Sequence, residues 1–196
     1  METNPTRERL IAAMSDLLER RGFHGVGLSE LLAQAQAPKG VLYHHFPGGK
    51  TALAVAAIES IAARIAESLE RLMHQQHDPI PALHGWIASA QRRLDASGFE
   101  RGCPLATVAL ESTADDIALR TALARAFADI RGRIAAALNG AGVPEPRARG
   151  LASLMVATYE GGLLQARVAG SGEPMALATQ TLLELLQNTS STGTPR

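Results

Sequence analysis

The chain has 196 residues, of which 46% are apolar and 19% are charged, a balance typical of a soluble protein that buries a core. Its longest stretch without a charged side chain, from Pro79 to Gln91, is too short to cross a bilayer. No apolar signal-peptide segment follows the start, and one cysteine excludes an internal disulfide, so we expect a cytoplasmic protein. The formal net charge is zero, and residues 1–50 hold six Lys and Arg against five Asp and Glu. Charge alone therefore does not indicate a nucleic-acid partner.

The first third of the chain predicts three short helices followed by a long one. Ala and Leu dominate at helical spacing, and strand signals are nearly absent. Asn4 before Pro5 predicts a capped start, and Gly22 ends the first helix. The second helix is predicted over residues 29–35 and the third from near Pro38 to Phe46, where Pro47-Gly48-Gly49 ends it. The fourth begins near Lys50 and breaks at 77–81.

The rest of the sequence predicts further helices separated by Gly- and Pro-containing breaks. The predicted fold is therefore all-α with about nine helices: a three-helix domain whose tight turn fits a helix-turn-helix, then a larger helical domain. We place the domains at 1–48 and 49–189, with a flexible tail over 190–196. The later helices are predicted over 81–96, 105–112, 116–138, 145–168 and 174–187.

The most informative segment is Ala37-Pro38-Lys39-Gly40-Val41-Leu42-Tyr43-His44-His45-Phe46, followed by Gly48-Gly49-Lys50. Together with Gly22-Phe23 and the apolar face of the first helix, it resembles the helix-turn-helix domain of the TetR family of bacterial repressors. The resemblance covers about 50 contiguous residues, with several unusual residue types at fixed spacing. It implies a dimeric repressor that binds a palindromic operator, with recognition helices about 34–36 Å apart or somewhat more.

The resemblance and the residue chemistry predict which side chains meet DNA. Lys39 and Gly40 open the recognition helix, where the backbone can approach phosphate. Tyr43 and His44 face away from Leu42 and can donate hydrogen bonds to phosphate. His45 and Phe46 are assigned to packing. Lys50 corresponds to the family's phosphate anchor, and Ser29 is placed to cap the second helix or to contact the DNA backbone. The predicted DNA-binding set is Ser29, Pro38, Lys39, Gly40, Val41, Tyr43, His44 and Lys50.

Two positions depart from the family pattern. Val26 stands where a threonine usually caps the second helix, which removes that hydroxyl. Gln36 stands where a glycine usually makes the turn, so a left-handed turn there would strain the backbone by about 1 kcal/mol.

The second domain carries a further resemblance. Residues 101–111, Arg-Gly-Cys-Pro-Leu-Ala-Thr-Val-Ala-Leu-Glu, resemble a motif of the LmrA/YxaF-like subgroup, as does Glu160-Gly161-Gly162. This resemblance implies a repressor of efflux or detoxification genes, released by a small, mostly apolar inducer such as a planar aromatic compound. Each predicted ligand-binding residue has ordinary core packing as its alternative role. The predicted ligand-binding set is Trp86, Cys103, Leu105, Val108, Phe127, Arg131, Met155, Thr158, Tyr159 and Gln165.

The last two long helices carry too little charge to be exposed on all sides, which predicts a four-helix homodimer bundle. One predicted face contains Leu151, Leu154, Met155, Thr158, Gly162 and Gln165. The other contains Leu177, Thr181, Leu182, Leu185 and Leu186. Inducer is expected to shift the population towards a state in which the fourth helix changes the spacing of the recognition helices.

Three alternatives remain open at this stage. Cys103, between Gly102 and Pro104, permits a redox-sensing repressor. His74, His77 and His84 with Asp78 permit a helical metalloenzyme, although no Glu-x-x-His pair accompanies them. A protein-interaction domain with a disused helix-turn-helix is the third. The favoured interpretation has no enzymatic activity, no cofactor and no metal.

Overall fold

The computed structural model describes residues 5–76 and 78–190, with side chains described as far as Leu186. The predicted cap Asn4, His77 and residues 191–196 of the predicted tail lie outside these residues. In the described part, the chain forms nine helices and no strand, so the all-α prediction is confirmed. They are α1 (Pro5–Arg21), α2 (Leu28–Gln34), α3 (Lys39–His45), α4 (Gly49–Gln75), α5 (Pro79–Ala96), α6 (Pro104–Glu111), α7 (Ile117–Gly140), α8 (Glu145–Ala169) and α9 (Glu173–Ser190).

Proline and glycine set most of the helix boundaries. Pro79 and Pro104 each occupy the first turn of a helix, where the missing N–H is not needed. Asp78 caps α5 by accepting the Ile80 N–H at 2.9 Å. Gly170 ends α8 in the left-handed conformation with φ 59°. No helix within the described ranges combines the length and apolarity that a membrane span requires.

The chain divides into two compact units. The first comprises Met1–Ala63 with Cys103–Ala126, and the second comprises Arg64–Gly102 with Phe127–Arg196. Helix α6 and the start of α7 thus belong to the same unit as α1, α2 and α3, although more than 50 residues of sequence separate them from α3.

The core of the first unit is built by the apolar faces of its short helices. Leu10, Met14, Leu18, Leu31 and Leu42 have no exposed surface. Side-chain hydrogen bonds reinforce this core. The Arg9 Nε donates to the Ala35 carbonyl at 3.2 Å, and the Gln34 amide donates to the Asp16 carboxylate at 3.0 Å. These contacts fix α1 against α2 and against the turn that follows α2.

The second unit is organised around the antiparallel partners α8 and α9, with α5 packed against both. Gly162 permits this close approach, because a side chain there would lie 3.3 Å from the Met175 Cα. Helix α5 is tied to the α8–α9 connection by the Gln91 amide, which donates to the Gly172 carbonyl at 3.4 Å. The role of Gly162 is therefore helix packing within the chain.

The turn between α2 and α3 adopts the conformation that the sequence predicted to be strained. Gln36 has φ 50°, in the left-handed region that favours glycine. Two backbone hydrogen bonds hold it there, from Gln36 N to Ala33 O at 3.1 Å and from Ala37 N to Leu32 O at 3.0 Å. Ala35 and Ala37 on either side are buried. The backbone strain at Gln36 is therefore offset by burial of the flanking residues.

We predict that Gln36→Gly raises the free energy of unfolding by about 1 kcal/mol, because glycine adopts positive φ without the steric cost. Chemical denaturation followed by circular dichroism measures the change. Ala33→Gly is the matched control: it lies in the helical part of α2 and should lower stability by about 1 kcal/mol. Equal destabilisation by both substitutions would contradict the strained-turn interpretation.

Candidate nucleic-acid interface and regulatory site

Helix α3 separates sharply into a buried face and an exposed face. Leu42 and Phe46 are buried, with 0% and 4% of their surfaces exposed. Lys39, Gly40, Tyr43 and His44 are exposed, with nearly half of the Tyr43 surface open to solvent. Phe46 therefore has the packing role predicted for it, while His45 is half-buried, with its ring edge-on to that of His44.

The amino terminus of α3 leaves its first N–H groups without a side-chain cap. Pro38 occupies the N-cap position, and its carbonyl accepts the Val41 N–H at 3.0 Å. Pro38 is exposed and Val41 is half-buried. Uncapped N–H groups at a helix start attract anions, so the first turn beside Lys39 favours a phosphate oxygen.

Helix α2 is capped differently from the sequence-based interpretation. Its N-cap is Gly27, and no side chain bonds to the cap. Ser29 is the second residue of α2, two residues beyond the N-cap, so the capping role predicted for it is wrong. Its side chain is exposed. Val26, where the family pattern has threonine, is buried with 3% exposed. Helix α2 therefore begins without any hydroxyl at its cap.

Lys50 and Tyr43 are positioned by the turn between α3 and α4. The Lys50 Nζ lies 4.5 Å from the centre of the Phe23 ring, a cation–π contact. Desolvation by burial lowers the pKa of Lys50, and the Glu111 charge opposes this by raising it. Gly49, at φ 64°, approaches the Tyr43 ring so closely that a side chain there would lie 3.3 Å from its Cε1.

The residue that immediately precedes α7 makes a polar contact with the α1–α2 connection. Asp116 lies 3.9 Å from the His24 Nε2. Its pKa is lowered, first by the backbone N–H of Thr113, then by the Thr113 hydroxyl, with a smaller contribution from His24. The two hydrogen bonds from Thr113 therefore fix the Asp116 carboxyl group beside His24.

Sequence reasoning assigned no role to Glu111, although the 101–111 motif ends on it. Its carboxylate accepts hydrogen bonds from the backbone N–H groups of Phe23 and His24. The contact joins positions 88 and 87 residues apart along the chain. The available signal was an acidic residue at the end of an otherwise apolar motif.

The predicted ligand-binding residues fall into both compact units. In the second unit, the Trp86 and Tyr159 rings stack with centroids 4.4 Å apart and planes 14° apart, and both are buried. Met155 is fully buried, while Phe127, Arg131 and Thr158 are half-buried. In the first unit, the buried residues of the set are Cys103, Leu105 and Val108.

One predicted ligand contact does not fit the structure. Gln165 is exposed, and its amide donates to the carbonyl of Gly161 on its own helix at 3.2 Å. The prediction of an inward-facing polar group at this position is therefore corrected. The error arose because helical spacing alone placed Gln165 on the same stripe as Met155.

The faces of α8 and α9 also differ from the predicted stripes. Met155 and Gly162 of α8, like Leu182 and Leu186 of α9, are buried inside the chain. The outward apolar face consists of Leu154, Leu177 and Leu185, which belong to the predicted stripes, with Leu164 and Val168, which do not. The last two helices thus use one face for the core and present a second apolar face to solvent. We call this second face, made of these five residues, the α8–α9 outer face.

A groove of 460 Å³ lies between α5 and α9 in the second unit. Its lining mixes apolar side chains, such as Ile87 and Leu183, with the polar side chains of His84, Thr179 and Glu184. None of the predicted ligand-binding residues lines it. Of the histidines considered as metal ligands, His74 lies in the last turn of α4 and His84 lies in α5. Among the described residues, no group of three His, Cys, Asp or Glu side chains is arranged to hold a metal ion.

Two segments of the chain match known protein families. Residues 10–57 match the amino-terminal domain of bacterial regulatory proteins of the TetR family. Residues 79–181 match the C-terminal domain of LmrA/YxaF-like transcriptional regulators.

Individual relatives match over nearly the whole chain. The HTH-type transcriptional regulator LmrA of Bacillus subtilis is 27% identical over 95% of this chain and 100% of its own length. An HTH-type transcriptional regulator of Mycobacterium tuberculosis is 31% identical over 92% of this chain and 93% of its own. The crystal structure of reduced Escherichia coli NemR aligns with a TM-score of 0.78 at 28% identity, covering 91% of this chain and 95% of NemR.

Proposed function

We propose that this chain, which belongs to the TetR family of transcriptional regulators and to its LmrA/YxaF-like group, represses transcription as a ligand-responsive homodimer on a palindromic operator. The observation that carries the proposal is the exposed face of α3, where Lys39, Gly40, Tyr43 and His44 lie together opposite the buried Leu42. Members of this family are regulators, so the metalloenzyme alternative is set aside.

The α3 face suits the chemistry of the major groove. Gly40 has no side chain and nothing within 4 Å of its missing Cβ, so the helix backbone can approach DNA closely. Lys39 supplies a charge to phosphate or a donor to a guanine edge, and the Tyr43 hydroxyl donates to phosphate while its ring meets a thymine methyl. Ser29, exposed on α2, and Lys50, at the start of α4, are the proposed flanking phosphate contacts. With zero net charge, binding depends on these placed contacts.

We predict that Lys39→Ala lowers affinity for DNA upstream of the chain's own gene by roughly tenfold or more. If Lys39 binds phosphate, the slope of log affinity against log salt also falls by about 0.9. Gel shifts at several salt concentrations measure both quantities. Tyr43→Phe and Tyr43→Ala separate the hydroxyl from the ring. Arg147→Ala, an exposed cation on α8, should leave affinity unchanged. Unaltered binding by both Lys39→Ala and Tyr43→Ala would favour the disused helix-turn-helix instead.

The proposed dimer forms through the α8–α9 outer face. Val168 is 82% exposed, and the other four residues of this face are between 45% and 59% exposed. An apolar surface of this kind on two adjacent helices is buried when a second copy completes a four-helix bundle. Dimerisation also doubles the number of recognition helices, as a palindromic operator requires.

Leu164→Glu is expected to produce a monomer, because it places an unpaired carboxylate at the centre of the proposed interface. Sedimentation velocity measures the oligomeric state. Operator affinity should fall by about 100-fold or more, because the two half-sites are then bound independently. Ile117→Glu is the control: Ile117 is 72% exposed but lies at the start of α7. A dimer that survives Leu164→Glu would place the interface elsewhere.

The proposed inducer is small, mostly apolar and planar, and the genes controlled are proposed to serve efflux or detoxification. The support is the Trp86–Tyr159 stack, with the half-buried Thr158 and Arg131 as polar members of the predicted set in the same unit. A planar aromatic compound that stacks on the outer side of this pair gains aromatic contact at one of its faces. Cytoplasmic location is also proposed, because a DNA-binding regulator requires access to DNA.

Trp86 is the only tryptophan of the chain, so its emission reports on this site directly. Titration with a panel of flavonoid-type planar aromatics should change Trp86 fluorescence at the concentrations that release operator DNA. Thr158→Val should lower the affinity for the active compound by about threefold to tenfold, because it removes one hydrogen-bonding group. Gln165→Ala should have no effect, since Gln165 is exposed. Release of DNA with unchanged Trp86 emission would place the inducer site elsewhere.

The redox alternative rests on Cys103 and on similarity to NemR, whose solved structure is described as a reduced form. Cys103 occupies the N-cap position of α6, where a helix start stabilises a thiolate. However, only 6% of its surface is exposed. Burial restricts access of an oxidant to the sulfur, so the geometry favours a packing role for Cys103.

A further inference from the structure

The carboxylate of Glu111 is fully engaged by the connection between α1 and α2. Glu111 is the last residue of α6. Its Oε1 accepts the Phe23 N–H at 2.5 Å, and its Oε2 accepts the His24 N–H at 3.0 Å. Hydrogen bonds from backbone N–H groups to a carboxylate are among the stronger ones in proteins. The end of α6 is therefore fastened directly to the segment that leads into the helix-turn-helix. We call this contact the Glu111 clamp.

The backbone of the α1–α2 connection is shaped to receive this carboxylate. Gly22 ends α1 with φ 67°, and its N–H still bonds to the Leu18 carbonyl at 3.1 Å. A Cβ at Gly22 would overlap the Glu111 carboxylate. The missing side chain thus provides both the left-handed turn and the space for the two oxygens.

The clamp acts on residues beside the proposed DNA contacts. Phe23, whose N–H the clamp holds, carries the Lys50 Nζ over its ring. The Glu111 charge also acts on Lys50 itself. Three residues beyond Phe23, the buried Val26 leads to the cap of α2. Glu111 is therefore linked through Phe23 to Lys50 and to the segment that leads to the cap of α2.

The other end of α6 continues into the second unit by peptide bonds. Gly102, which precedes Cys103, belongs to the second unit, where a Cβ on it would lie 3.6 Å from a guanidinium nitrogen of Arg167 on α8. Within α6, Leu105 and Val108 are completely buried. Helix α6 is thus a short, well-packed element with one end continuous with the second unit and the other fastened to the α1–α2 connection.

We propose that Glu111 is a positioning residue that couples the conformation of α6 to DNA binding, an inference that rests on the proposed function. Linkage is reciprocal, so operator DNA bound at α3 must stabilise α6 through the same contact that lets α6 influence DNA binding. This gives a test that needs no inducer. Helix α6 also packs against α1, so without the clamp the response of α6 to DNA is reduced to what that packing carries.

The experiment is amide hydrogen exchange on the full-length protein, free and bound to DNA from upstream of its own gene. In the free wild-type protein the Phe23 and His24 amides are protected, and in Glu111→Ala they exchange at least about tenfold faster. Operator DNA slows exchange across residues 105–111 in wild type and slows it clearly less in Glu111→Ala, where only the packing of α6 against α1 remains. Glu111→Gln, which keeps one acceptor oxygen, gives an intermediate response. Circular dichroism establishes that each variant retains its helices.

Asp115→Asn is the matched control, because it removes one negative charge from an exposed carboxylate four residues beyond Glu111. It should retain the wild-type transfer of protection to α6. Unprotected Phe23 and His24 amides in wild type, or an α6 that responds to operator equally in Glu111→Ala, would overturn the coupling while the repressor function stands. A wild-type protein that binds no promoter DNA would overturn the proposed function, and the coupling with it.

Discussion

The seven-residue helix α3 depends entirely on burial of its inner face. An isolated helix of this length is unstable in water, because nucleation costs more than so few hydrogen bonds return. Leu42 and Phe46 supply the missing stability by packing into the core of the first unit, where Leu10, Met14 and Leu31 are also fully buried. The direction in which α3 presents its exposed face is therefore fixed by those two side chains. Every proposed DNA contact on α3 inherits its position from them.

This constraint explains how a chain with no net charge can suit DNA. A protein that relies on bulk positive charge needs many cations, whereas this chain has 19 Lys and Arg balanced by 19 Asp and Glu. A rigidly presented face needs only a few donors at the right positions, and backbone N–H groups at a helix start add to them without any charged side chain. Binding of this kind has a shallow salt dependence, because few phosphates are neutralised.

Local rules predicted the helices and the two faces of α3 well. Glycine and proline mark most boundaries, and Leu42 and Phe46 are four residues apart, so their burial follows from helical period alone. The left-handed turn at Gln36 was predictable from the family pattern. Ser29 was misassigned as a cap because a serine near a helix start is a good local signal for an N-cap. The N-cap of α2 is instead Gly27, which has no side chain, and the helix begins at Leu28.

Contacts between distant parts of the chain were beyond those rules. Gln165 and Met155 both lie in stretches of α8 that are rich in apolar residues. Only the positions of α5 and α9 decide which of the two is buried. The same holds for the α8–α9 outer face, since a helix with two apolar faces gives no sign of which one the chain itself covers. The Glu111 clamp was the least accessible, because its partners are backbone N–H groups, which carry no sequence signature.

The clamp also shows how two connections converge on one short segment. Helix α4 is continuous from Gly49 to Gln75 and places Lys50, in its first turn, over the Phe23 ring. Helix α6 ends on Glu111, which holds the N–H of that same Phe23. A change in either helix therefore alters the surroundings of one residue, and Phe23 leads into α2 through only a few residues. Since Lys50 and Glu111 carry opposite charges and both contact Phe23, movement of one changes the electrostatic environment of the other. Contacts from α4 and from α6 thus meet at Phe23, in the segment that leads to the cap of α2.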